Sequence, residues 1–381
     1  MLPYGRQSID ETDVEAVAAV LRGQWLTTGP AVAAFEAELA RWTGGVPCVS
    51  VTSGTAALHV AYVAAGVGPG TEVITSPLTF VATAATAALL GARVLFADVQ
   101  PDTGNLDPDA VAALAGHRTA AVTAVDYAGH PADYDELREV AARAGARLVG
   151  DAAHSIGAAY KDRPVGSLAD LTTFSFFPTK TVTTAEGGAV AAADPALRRR
   201  AALFMNHGLV RDPAEQRDPG VGGWHQEVHA FGLNYRLPDV LCALGLSQLR
   251  RLARFRERRA ELVARYDALL REVPGLALPA RRAYVTPSWH LYPVRVRDGR
   301  RREVYDRMRA AGIGVQVNYL PAYWHPVFED LGYRRGMCPL AETYYAEELS
   351  LPLFPDLTEA EQDHVVEVLA GILGHGGRPT G

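Results

Sequence analysis

The chain has 381 residues, 48% of them hydrophobic, and a formal net charge of −6, which is length enough for about two domains with large buried cores and offers no global attraction to nucleic acid. Cys48, Cys242 and Cys338 are odd in number and widely spaced, which argues against a disulfide framework and predicts reduced thiols in a cytoplasmic protein. Residues 1–7 carry no apolar signal core, and the most apolar stretch, 80–96, is broken by Gly91 and Arg93, so neither secretion nor a membrane span is expected.

Short apolar or β-branched runs at 47–51, 72–75, 93–99, 120–125 and 147–151 alternate with Ala-rich helical patterns. Such alternation predicts an α/β fold with crossover connections and a mainly parallel sheet, and it puts ligands at the carboxyl ends of the strands. Thr52, Asp126, Asp151 and Ser175 fall at or just past such ends. A further strand at 189–193 and a helix at 195–206 lead into 208–232, which is dense in Gly, Pro, Trp and His and predicts a long functional loop. Residues 237–272 predict one long helix or a broken pair, with the arginines from Arg250 to Arg259 on a solvated, ion-paired side. From His290 the pattern changes to a strand at 291–296, a helix at 301–311, a strand at 314–319 and two helical segments around Leu351-Pro352-Leu353-Phe354. This predicts a large domain over 1–245, a smaller α+β domain over 246–381 and a disordered tail at 374–381.

Five groups carry a possible chemistry. Thr52-Ser53-Gly54-Thr55-Ala56-Ala57-Leu58-His59 runs from a strand end through a small-residue turn into a helix, so free amides, the positive helix end and the Ser53 and Thr55 hydroxyls could hold a phosphate; a plain helix cap has the same pattern. Phe80, past a second strand end, could stack on a flat ring or belong to the core. Asp151 ends a strand, where a lone buried carboxylate needs a cationic partner unless it caps a helix. His154 could contact a ring oxygen, support Asp151 or be a satisfied buried histidine. Lys180, in Ser175-Phe176-Phe177-Pro178-Thr179-Lys180 before a Thr/Gly turn, supplies an amine. An amine and an acid at neighbouring strand ends suit pyridoxal phosphate, which needs a lysine for its Schiff base and an acid at its pyridine nitrogen.

As a set, these motifs resemble the sugar aminotransferases of the DegT/DnrJ/EryC1/StrS family, together with Thr184-Ala185-Glu186-Gly187-Gly188 and Gly232-Leu233-Asn234-Tyr235-Arg236-Leu237. The resemblance runs in order from about residue 3 to 372. It implies a fold-type I, aspartate aminotransferase-like homodimer with Lys180 as the Schiff-base lysine, Asp151 on the pyridine nitrogen and Phe80 on the ring face. It also places Gly54, Thr55 and Ser175 at the phosphate, joined by Asn234 from the other subunit.

Further segments are similar to a subgroup that makes UDP-4-amino-4,6-dideoxy-N-acetyl-β-L-altrosamine: Tyr4-Gly5-Arg6-Gln7-Ser8-Ile9, Trp25-Leu26-Thr27-Thr28-Gly29-Pro30, Asp126-Tyr127-Ala128-Gly129, Trp289-His290-Leu291-Tyr292 and Gly314-Val315-Gln316-Val317-Asn318-Tyr319. Gly150 and Phe177 depart from that subgroup, where glutamate and histidine are common. The implied reaction moves an amino group from L-glutamate to a nucleotide-linked keto-sugar at C4. Tyr4, Trp25, Thr27, Thr28, Asn318 and Tyr319 would line the sugar site, and Arg236 would meet the glutamate carboxylate or form a structural bridge. C3 amination stays open. A dehydratase of the same fold carries histidine in place of Lys180, and a DNA-binding regulator would need a basic helix-turn-helix module for which neither end has spare length.

Overall fold

A computed structural model describes residues 1–374. The predicted tail lies, from 375 onward, outside the described residues. Among those residues the largest sheet has seven strands, in the order Cys48–Val51, Gly188–Ala191, Leu171–Ser175, Arg147–Asp151, Thr119–Val125, Glu72–Thr75 and Arg93–Phe96. Gly188–Ala191 is antiparallel to both its neighbours, and the remaining pairs are parallel. Cys48–Val51, Glu72–Thr75 and Gly188–Ala191 are buried along their whole length, which is why such strands are written as unbroken runs and not as alternation.

Helix Gly54–Ala65 packs on the strands Leu171–Ser175 and Gly188–Ala191. Its Ala56, Ala57, Ala61 and Ala64 are buried, so the helix axis approaches the sheet closely. Val60 and Leu58 on the same helix are buried too, each stabilising the fold by roughly 1.5–3 kcal/mol. Ser53 caps its first turn, and Gly66 ends it in the left-handed conformation.

The 237–272 segment is the broken pair, Asp239–Arg250 and Leu252–Leu270, interrupted at Arg251 (φ −102°, ψ −1°). The Arg251 guanidinium donates to Asp10 and Asp13 at the start of helix Glu11–Leu21, and Arg258 pairs with Glu261 at 3.0 Å. Arg259 departs from the expected solvated face. It is fully buried, donates to the carbonyls of Trp289, His290 and Leu353, and burial pushes its guanidinium down to about 10.

A small antiparallel sheet joins Leu276–Ala277, Tyr292–Val296 and Glu348–Leu351. The strand expected at 314–319 is absent among the described residues; Glu348–Leu351 takes its place between the helices Pro339–Glu347 and Glu359–Gly374. Side chains explain the substitution. The Asn318 amide donates to the Glu348 carboxylate at 2.6 Å and the Asn318 carbonyl accepts from Tyr127, so the backbone groups a ladder would need are already taken. The predicted loop at 208–232 is interrupted by a short pairing of Leu209–Val210 with Glu227–Val228, and it leaves Trp224 and Phe231 exposed.

The expected division at residue 245 does not coincide with the change of core. Leu252 and Phe255 pack with the large sheet while Leu262, Val263, Tyr266 and Leu270 of the same helix pack with the small one, and Ala322, Tyr323, Phe328 and Tyr344 return to the large core. Cys48, Cys242 and Cys338 are free and buried, and burial raises all three thiols, Cys48 and Cys338 to about 12. No described helix is long and apolar enough to cross a membrane.

Candidate active site

The carboxyl ends of the central strands open into a cavity of about 550 Å³. Asp151 and Ser175 are the last residues of their strands, and Thr52 and Asp126 follow the ends of two others, so the sheet brings together groups far apart in sequence. Lys180, Asp151, His154, Phe80, Ser53, Gly54, Thr55, Ser175, Tyr4, Asn318 and Tyr319 all line this cavity.

Lys180 is presented by a turn that Phe176 closes. The Phe176 amide donates to Gly187 O at 2.9 Å, and its carbonyl accepts from the Thr184 amide and the Thr183 hydroxyl at 3.0 Å each. The buried Phe176 ring packs edge-on against Phe35 at 5.5 Å, anchoring that turn in the core. Lys180 Nζ makes no hydrogen bond among the described residues. Burial pushes the amine down to about 8, against the smaller opposing pull of the Asp151 carboxylate.

Asp151 is buried, and its carboxyl accepts from Thr83 Oγ1 at 2.6 Å and the Ala153 amide at 3.3 Å. Burial raises its proton affinity above the ordinary carboxylate range, and those two donors and Lys180 offset the rise only in part. Such a carboxylate suits a cationic ring nitrogen that would enter the cavity.

At the other end, Ser53 Oγ accepts from the Ala56 amide at 3.0 Å, a helix cap that leaves its hydroxyl proton free. The Gly54 and Thr55 amides have no partner among the described residues, as the first turn of a helix dictates, and the Thr55 and Ser175 hydroxyls have none there either. Gly54 is needed for close approach, since a Cβ there would lie 2.7 Å from Ser175 Cβ. The cradle therefore fits a phosphate group by its own donor set.

Phe80 is 61% exposed over the cavity, with its ring 6.4 Å from that of Tyr319, an aromatic face available to a planar ligand. His154 and His290 are buried with ring centroids 4.4 Å apart, and burial holds both well below the ordinary histidine range, so both are neutral.

Several expected site residues are placed differently. Trp25, Thr27, Thr28, Asn234 and Arg236 do not line the cavity of their own subunit. Trp25, Thr27, Thr28 and Asn234 are exposed, while Arg236 Nη1 donates to Asn206 Oδ1 at 2.6 Å. Asn318 lines the cavity, yet its side-chain amide donates to Ser350 Oγ at 3.0 Å instead of facing a ligand. Glu186, His290 and Gln316, which the sequence offered only within motif segments, line the cavity as well, and so does Thr83, which the sequence did not single out. Thr83 sits in an unremarkable Ala/Thr helix, and nothing local marks it as a partner of a carboxylate 68 positions away.

Comparison with known proteins identifies the chain's relatives. The spore coat polysaccharide biosynthesis protein SpsC of Bacillus subtilis is 37% identical over 378 residues, covering 98% of this chain and 97% of that protein. The UDP-4-amino-4,6-dideoxy-N-acetyl-beta-L-altrosamine transaminase of Campylobacter jejuni is 35% identical over 381 residues, 98% of each chain. Spr1654 from Streptococcus pneumoniae, solved in its PLP form, superposes with a TM-score of 0.91 at 29% identity, covering 98% of each chain. With residues 7–370 matching the description "DegT/DnrJ/EryC1/StrS aminotransferase family", the chain belongs to that family and is a pyridoxal phosphate-dependent aminotransferase.

Proposed function

We propose that the enzyme transfers the amino group of L-glutamate to the C4 keto group of a nucleotide-linked 4-keto-6-deoxy sugar. The observation that carries the reading is the cavity itself: a depressed amine at Lys180, a buried acid at Asp151 and a donor-rich helix start at Gly54 and Thr55 share one space of about 550 Å³. The sugar acceptor is supported by the printed name of the Campylobacter jejuni relative and by the sugar-site segments of the sequence.

Pyridoxal phosphate, when bound, supplies an aldehyde carbon for the donor amine and a ring that takes up electrons. Gly54, Thr55, Ser53 and Ser175 would hold its phosphate, Asp151 would hold the proton on its ring nitrogen, and Phe80 would cover a ring face. Lys180 Nζ would hold and move a proton at the donor carbon, a role that suits an amine poised near neutrality. Tyr4 and Tyr319 line the same cavity and would bound the side on which a sugar enters.

The same shift fixes a pH dependence. The neutral amine is the nucleophile, and its proton is lost near pH 8 instead of near 10.5. Capture of pyridoxal phosphate by cofactor-free enzyme is therefore expected to quicken as pH rises through about 8 and to level off above it, as read by stopped-flow absorbance. A rate still climbing in proportion to hydroxide at pH 10 would contradict this environment for Lys180.

The working enzyme in this reading is a homodimer with shared sites in the cytoplasm. Exposed Trp25 and Leu26 beside Thr27 and Thr28, and exposed Val228, Phe231 and Leu233 beside Asn234, support a second copy covering both segments. Three buried, unpaired cysteines support a reducing compartment.

The deciding assay incubates the holoenzyme with L-glutamate and a panel of UDP- and dTDP-linked 4-keto-6-deoxy and 3-keto sugars, with the product identified by NMR. Amination at C4 of a nucleotide sugar is expected. No amination of any member of the panel would remove the proposal, and amination at C3 would relocate it. Mixing inactive Lys180→Ala with inactive Asn234→Ala chains is expected to restore about a quarter of the activity if the sites are shared, because half of randomly paired dimers then hold one intact site. No recovery would place Asn234 with its own subunit.

A further inference from the structure

Residues 25–28, expected at the sugar site yet outside the cavity of their own subunit, are held by a buried carboxylate that the chemistry leaves unused. The helix that follows them, Pro30–Trp42, opens on Gly29, which has no side chain to cap it. Asp239 supplies the cap from far along the chain. Its Oδ2 accepts from the Gly29 amide at 2.7 Å and its Oδ1 from the Ala31 amide at 2.9 Å. Asp239 is fully buried, forms no ion pair among the described residues and is itself the first residue of the helix Asp239–Arg250. The positive ends of two helices therefore meet at one carboxylate, which offsets the cost of burying it.

The fit around this carboxylate leaves no substitute for it. A Cβ on Gly29 would lie 2.5 Å from Trp25 Cβ and 2.7 Å from Asp239 Oδ1, so residue 29 cannot carry a cap of its own. Thr28 has φ +55°, a conformation that a β-branched residue holds only where its surroundings impose it. The loop itself imposes little: Trp25, Leu26, Thr27 and Thr28 are exposed, and the Thr28 hydroxyl donates no farther than the Thr27 carbonyl at 2.7 Å. Asp239 stands on a firm base, since a Cβ on Gly245 of its helix would lie 2.5 Å from Phe35 Cε2 and 2.6 Å from Thr184 Cγ2, in the turn that carries Lys180. Asn234 has a separate support, because the neighbouring Tyr235 carbonyl accepts from the Thr52 amide at 2.9 Å. Loss of the Asp239 carboxylate would thus free residues 25–28 and leave Asn234 and the cavity walls in place.

We propose that Asp239 is a positioning residue for the sugar half of the reaction alone: it holds residues 25–28 in the shape in which they enter the cavity of the second copy and bound its sugar site. The glutamate half uses Lys180, Asp151 and the phosphate cradle, which belong to the cavity's own walls and do not depend on this contact. A preformed loop spares the sugar the cost of ordering it on binding. The inference rests on the reading of shared sites in a homodimer that aminates a nucleotide sugar, and it adds the group that keeps the shared loop in place.

The test separates the two halves in the holoenzyme. Asp239→Asn keeps the shape but turns a donor toward one of the two amides. Loss of the visible band on adding L-glutamate is expected to stay within about twofold of the wild-type rate, while kcat/KM for the keto-sugar that the wild type aminates falls by about 10- to 100-fold, mostly through KM. Gly29→Ala pushes on the same contact from the other side and is expected to give the same split, with the double variant no worse than the larger single effect. A lowered melting temperature with an unchanged sugar KM would make Asp239 a plain structural cap and overturn the proposal, and so would an equal loss in both halves. Mixed with inactive Lys180→Ala chains, Asp239→Asn is expected to show some sites with the wild-type sugar KM, because its live lysine then receives an intact loop from its partner. Only the raised KM in that mixture would place residues 25–28 with their own subunit, against the proposal. Should Asp239→Asn fail to fold, Gly29→Ala carries the same comparisons. A wild type that aminates no sugar would instead defeat the reading beneath the inference, and the inference with it.

Discussion

Lys180→Ala is expected to lower kcat by more than about 10⁴-fold, beyond what a single positioned acid or base supplies, because one amine serves as both anchor and proton carrier. The visible band of the holoenzyme should vanish with it. The fold should survive, since Lys180 Nζ makes no hydrogen bond among the described residues and the turn that carries it is held by backbone groups of Phe176 and by the Thr183 hydroxyl. Thermal melting of the cofactor-free variant should stay within a degree or two of the wild type, a change on the order of 0.5 kcal/mol. Borohydride reduction followed by peptide mapping checks the anchor directly. Label found on another lysine, or a variant that keeps the band, would move the Schiff base elsewhere.

The second large effect belongs to Asp151→Asn, which keeps shape and removes charge. A loss of about 1,000-fold in kcat is expected, comparable with removing a preorganised electrostatic partner. Stability should move the opposite way in the absence of cofactor. The folded-state proton affinity of Asp151 is raised by burial, so its favourable contribution is present below the ordinary carboxylate range and is lost as pH rises through the folded value. Asparagine is neutral throughout. The cofactor-free variant should therefore match or exceed the wild-type melting temperature at pH 8, while pyridoxal phosphate should stabilise the wild type more strongly than the variant. A variant that is less stable without cofactor, yet gains as much from it as the wild type does, would show that Asp151 is a structural acid.

The strand ends carry what was legible in advance. Alternating runs placed Asp151 and Ser175 at carboxyl ends, and a parallel sheet then required that Thr52, Asp126, Asp151 and Ser175 open on one side. What stayed hidden depends on side chains that capture backbone groups at long range. Residues 314–319 have strand composition, but Glu348 and Tyr127 take the bonds of Asn318. Arg259 sits in a basic run that suggests solvent, while three carbonyls gathered from distant segments bury it. Thr83 and His290 reach the site only through folding, and Trp25, Thr27, Thr28 and Asn234 lie outside the cavity of their own subunit.

The buried cysteines give the molecule an internal clock. Thiolate is the reactive form, and with Cys48 and Cys338 held to about 12 and Cys242 raised as well, alkylating reagents have almost nothing to attack while the structure is closed. Labelling then counts openings. Cys48 lies on an outer strand of the seven-stranded sheet, Cys242 in the helix Asp239–Arg250, and Cys338 just before the helix Pro339–Glu347. Mass spectrometry of the three sites over time would read three separate regions from one sample, without an engineered probe.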